Sequence, residues 1–127
     1  MKLQHWSIIL LLIAGCQAQI KTPAPATRPA SADEVDYIRK SFKQQNPSVE
    51  VGVVQEVLPA ERLAAMGDVD LALFHPGDIV CFIDSTTAPL VCGKVVRITD
   101  TQVHVKYETP AADRRAPMQG DLGVAFR

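Results

Sequence analysis

Residues 93–107 read G-K-V-V-R-I-T-D-T-Q-V-H-V-K-Y. Val103, Val105 and Tyr107 alternate with His104 and Lys106, and Glu108 follows, so one face is apolar and the other wet, as in a strand. Pairing Ile98 with Val103 and Val96 with Val105 puts the turn at Asp100-Thr101 and places all four side chains on one face. The stretch therefore predicts an antiparallel hairpin with a buried side.

Working outward, the same arrangement occurs earlier. Gly52-Val53-Val54-Gln55-Glu56-Val57 parallels Gly93-Lys94-Val95-Val96-Arg97-Ile98. Each is followed by a turn and a second apolar stretch, Leu63 to Met66 and Val103 to Tyr107. A Gly-Asp strand then completes each unit, Gly77 to Phe82 and Gly120 to Phe126, with glycine spacings of 25 and 27 residues. Two βββ units predict a mainly β domain of six short strands. Closing them into a barrel removes the two exposed edges an open sheet would leave. A five-stranded SH3-like barrel is the alternative. The Gly-Asp turns and the G-x-V…G-D layout over residues 49–126 loosely resemble small β-barrel domains of bacterial envelope proteins, including the C-terminal domain of a flagellar outer-membrane-associated protein. That resemblance implies scaffolding or binding, with no catalytic residues to transfer; Asp68 to Phe74 replaces the glycine-rich turn usual there.

Ahead of the barrel, Ser31-Ala32-Asp33-Glu34 has the form of a capping box. Val35, Ile38 and Phe42 follow at helical spacing with Tyr37 beside them, and Asn46-Pro47 stops the run. One amphipathic helix over Ser31–Asn46 is expected, its narrow apolar face closing over the β structure or, in a homo-oligomer, forming a seam. Gln17 to Ala30 has three prolines and no apolar periodicity, which predicts a semi-stiff spacer.

The start of the chain sets its expected address. Lys2 precedes Trp6 to Ala14, nine residues with only Ser7 polar, too short for a spanning helix of about 20 residues. A charged start, short apolar core and small terminal residues make a secretory signal segment. Ile13-Ala14-Gly15-Cys16 resembles the bacterial lipobox. The resemblance implies cleavage before Cys16, a diacylglyceryl group on its sulfur and acylation (palmitate-like) of the new amino terminus. Residues 1–15 would be the signal peptide, 16–30 the lipid anchor and tether, and 31–127 the helix and barrel. Gln17, not aspartate, after the cysteine suggests the outer membrane, with the domain in the periplasm.

Of the three cysteines, lipidation of Cys16 would leave Cys81 and Cys92 as an even pair. Pairing Ile83 with Leu90 sets them opposite each other on successive strands, both inward, within reach of a disulfide; two free buried thiols are the other reading.

Thirteen basic and 14 acidic side chains give a net charge of −1 with no block of like charge, which argues against a nucleic-acid stripe. No His/Cys/carboxylate cluster has metal-ligand spacing, and nothing calls for a cofactor. His75 reads as a turn residue and His104 as a solvated one. Asp78 and Asp121 read as turn carboxylates accepting backbone hydrogen bonds. Ser85-Thr86-Thr87 lacks an activating base. Arg114 and Arg115 are the best local candidates for binding an anionic group. The function expected is therefore a lipid-anchored envelope protein with a non-enzymatic binding or structural barrel and an envelope protein as partner. The alternative, a cell-envelope hydrolase, needs His75, Asp78 and Asp121 in one cleft.

Overall fold

The computed structural model describes residues 24–126; the signal segment and Cys16 lie outside them. Helix α1 (Ala32–Gln45) is followed by six strands, β1 (Glu50–Leu58), β2 (Leu63–Gly67), β3 (Ile79–Ile83), β4 (Pro89–Ile98), β5 (Val103–Tyr107) and β6 (Leu122–Ala125). All neighbours are antiparallel, and the order β1-β2-β5-β4-β3-β6 closes on itself through a β6–β1 pair. The six-stranded barrel expected from the repeat is what the chain forms.

The repeat is also a symmetry. Exchanging β1 with β4, β2 with β5 and β3 with β6 leaves the list of neighbours unchanged. Ala64 pairs with its own equivalent, Val105, and Cys81 with its own equivalent, Val124. Both first strands carry a bulge at the matching position, Gln55 in β1 and Val96 in β4. A bulge sets two residues against one and bends the strand, which a barrel this small needs at both corners.

The bulge corrects the hairpin register. Ile98 does face Val103, but Val95 pairs with Val105, and Val96 is turned out, 49% exposed. Period-two alternation carries no mark of an inserted residue, so the sequence reading placed Val96 inside. The Gly-Asp pairs also precede their strands: β3 starts at Ile79 and β6 at Leu122.

Inside the barrel, Val54, Met66, Val80, Phe82, Val95, Val103 and Val105 are all at most 2% exposed. Tyr107 meets Phe82 edge to face at 6.4 Å, and burial raises its phenol pKa. Phe74, from the β2–β3 connection, joins this core. Side chains fill the lumen, as expected for a barrel this narrow.

A second core lies outside the wall. Helix α1 sets Val35 and Ile38, with Phe42, on Val49, Val51, Ile83, Leu122 and Val124. Burying each large aliphatic contributes about 1.5–3 kcal/mol. Strand β6 is thus buried on both faces: Leu122 and Val124 meet the helix, while Gly123 and Ala125 face the lumen. A Cβ on Gly123 would sit 2.6 Å from the Met66 sulfur, so any larger residue there would force the buried Met66 side chain to move. The helix begins as its sequence predicts. The Ser31 hydroxyl accepts from the Glu34 amide (3.2 Å), and the Glu34 carboxylate accepts from the Ser31 amide (3.0 Å). Tyr37 is 73% exposed.

Candidate functional site

The two Gly-Asp turns are built alike. Gly77 and Gly120 have φ of 93° and 92°, the left-handed region that favours glycine at this turn position. The Asp78 carboxylate accepts from the His75 amide (2.8 Å) and the Asp121 carboxylate from the Met118 amide (2.6 Å). Each aspartate therefore holds its own turn, as the sequence suggested. His75 stands 3.9 Å from Asp78, with its side chain 73% exposed.

Their surroundings then diverge. Asp78 is partly exposed, whereas Asp121 is 1% exposed and receives the Arg115 guanidinium at 2.7 and 2.9 Å. The same guanidinium donates to the carbonyls of Ala26 and, at 3.0 Å, Ala116. Hydrogen bonding to Asp121 raises the Arg115 pKa. Arg115, singled out in sequence as an anion binder, thus has its fork engaged by a carboxylate of its own chain. Arg114 donates to the Pro89 carbonyl and lies 4.0 Å from Asp113.

One participant was not visible in the sequence. Asp84, fully buried, accepts from the Thr86 amide (2.8 Å), the Thr86 hydroxyl (2.6 Å), the Ala88 amide (2.9 Å) and the Ala26 amide (2.8 Å). Burial pushes its pKa up, but the bonds from Thr86, Ala26 and Ala88 outweigh it, and the net shift is downward. Asp84 and Arg115 together take both the N–H and the C=O of Ala26. Pro29 packs on Gly120, and the Ala30 amide bonds the Gly120 carbonyl at 3.0 Å. Arg28 makes a two-pronged bridge to Glu34 (2.6 and 2.7 Å), which holds the Glu34 carboxyl down at about 2. The last residues of the stretch read as a spacer are therefore pinned to the barrel. The contacts of Ala26 and Ala30 use backbone groups of small residues, which leave no pattern in a sequence.

An open groove of about 440 Å³ lies between the start of α1 and the β3–β4 loop, lined by Asp33, Glu34, Tyr37, Ile38, Ser85, Thr86 and Thr87. The Ser85 hydroxyl is buried beside it with no partner among the described residues. No group of three His, Cys, Asp or Glu residues among the described residues is placed to hold a metal.

Cys81 and Cys92 form a disulfide. They are register partners, as predicted, but they lie on the outer wall: Val80 and Phe82 point inward, and Cys92 is exposed. Ile83 pairs with Pro89, not Leu90, because β4 carries an extra residue between Pro89 and Cys92. The position equivalent to this pair in the other half is Val51–Val124, which helix α1 covers. A bridge spanning 11 residues contributes about 2–3 kcal/mol by restricting the unfolded chain. Cys92→Ser should lower the urea-derived stability by that amount. Thiol titration of unfolded, unreduced chain starting at Gln17 should find no free thiol; two would contradict the bridge.

No protein family matches this chain, and no curated protein matches it in sequence.

Proposed function

We propose that this chain is a lipid-anchored protein of the bacterial envelope, outer-membrane-attached, whose barrel works in the periplasm as a non-enzymatic binding or structural module. The observation that carries the reading is Ile13-Ala14-Gly15-Cys16 at the end of a short apolar run with a charged start. Three features support it. A disulfide on the outer wall, with one sulfur-bearing residue exposed, suits an oxidising compartment. The barrel lumen is packed with side chains, leaving the outer surface for recognition. Asp78 and Asp121 each spend their carboxylates on separate turns.

The test is the mass of the protein purified from membranes of its own host. The expected species begins at Cys16 and carries the mass of a diacylglyceryl group and an amide-linked acyl chain. Cys16→Ala should abolish that mass increase and the membrane attachment it provides. An intact methionine start with an unmodified thiol at position 16 would refute the proposal. Crosslinking in the same cells then identifies the envelope protein that the barrel meets.

A further inference from the structure

We propose that the outer face of β4 and β5 is a contact surface for anionic phospholipid headgroups. In the strand order these two strands lie across the barrel from β1 and β6, which carry the helix. Lys94 stands directly opposite Lys106, and Arg97 directly opposite His104. The Lys94–Lys106 pair sets like charges opposite each other, which destabilises a strand pair, so a fold needing only a solvated wall gains nothing from it. No salt bridge among the described residues reaches Lys94, Arg97 or Lys106. Glu56, in register with Ala65, and Glu108, just past β5, form no ion pair with them either.

Aliphatic groups flank the cations, Ile79 and Val96 exposed and Leu63 half-buried. Ile79, 50% exposed, pairs with Lys94, and Lys106 pairs with Leu63, so the row Ile79–Lys94–Lys106–Leu63 crosses four strands. Val96, 49% exposed, stands out at the bulge beside it. Lysines among aliphatic side chains suit a bilayer interface, where the stems lie on apolar surface and the ammonium groups meet phosphate.

The internal symmetry argues against two other occupants. The Ile79–Lys94 pair is the equivalent of Leu122–Val53, and those two lie under α1. Where an apolar helix is received the chain has valine; here it has lysine. A second copy docked symmetrically would bring lysine onto lysine. Reach is no obstacle: nine residues lie between Cys16 and the pinned Ala26, a span of at most about 35 Å extended, against a radius of gyration of about 13 Å for a domain this size. The proximity, though not the surface, rests on the lipid-anchor reading.

The test uses residues 17–127, which hold every element described above and lack Cys16, so that its outcome is independent of acylation. Co-sedimentation is measured with phosphatidylglycerol–phosphatidylcholine vesicles and with phosphatidylcholine alone. Binding to the anionic vesicles only is expected, weakening with salt and falling about fivefold for each of Lys94→Gln and Lys106→Gln. Equal binding to both vesicle types, no binding, or binding untouched by the two substitutions would overturn the proposal. So would salt-sensitive binding to polyglutamate without vesicle binding, which would reassign the face to an acidic protein.

Discussion

Val105→Asp leaves the domain without a cooperative unfolding transition. Val105 is fully buried and lies at the centre of the barrel's symmetry, paired with Ala64 on one side and Val95 on the other. The buried side chains of that core are hydrocarbon apart from the Met66 sulfur and the Tyr107 hydroxyl. An ionised carboxylate there has no cation, and a protonated one still loses its water without full replacement. Either form costs several kcal/mol, in addition to the lost valine burial of about 1.5–3 kcal/mol. Small domains have about 5–15 kcal/mol in total, so the change consumes most of it. Circular dichroism against temperature is the measurement. The neighbouring contrast tests the register itself: Val95→Asp should behave like Val105→Asp, while Val96→Asp, at the bulge and facing water, should stay within about 0.5 kcal/mol of the parent. If Val96 proved the more damaging of the two, the bulge would be misplaced.

The second large effect is expected at Arg115→Ala. Removing the guanidinium strands the Asp121 carboxylate, whose side chain is only 2% exposed, with the Met118 amide as its remaining hydrogen bond. Breaking a buried pair from one side costs about 3–5 kcal/mol, because the surviving charge is left uncompensated. The same change frees the Ala26 carbonyl, so amide exchange at Ala26 and Ala30 should accelerate along with the fall in urea midpoint. Adding Asp121→Asn to Arg115→Ala should recover part of the loss, since the neutral amide still accepts from Met118 and no longer needs a counter-charge. Arg115→Lys should recover little, because a single ammonium does not span two carboxylate oxygens and a carbonyl. A loss under about 1 kcal/mol, the range of exposed ion pairs, would show that the cluster is solvated in practice.

The fold was legible because its signals are periodic. Alternation marked Val103–Tyr107, helical spacing marked Val35, Ile38 and Phe42, and the doubled Gly-Asp motif announced two equivalent halves. Each of these is a statement about which side of an element is apolar, and burial enforces it. What escaped was one-residue detail: the inserted Val96, and the extra residue before Cys92 that accompanies the outward disulfide. An insertion flips every later side chain to the other face, yet the composition of the strand does not change. The clamp on Ala26 escaped for a different reason. Its recognised groups are peptide N–H and C=O, which every residue but proline carries alike, and its buried acceptor, Asp84, looks in sequence like any aspartate opening a polar loop. Arg115 was noticed, but its guanidinium turned out to be occupied from within.

Two symmetry-related strand pairs that join the halves of the barrel are secured by unlike means. At the β1–β6 junction a helix lies across the valine pair; at the β3–β4 junction the matching pair is oxidised sulfur facing solvent. A reductant reaching the surface would therefore weaken one side of the cylinder and leave the other untouched. Exchange chemistry there would be felt as a directional gape, beginning at the cysteine pair that lies open to solvent.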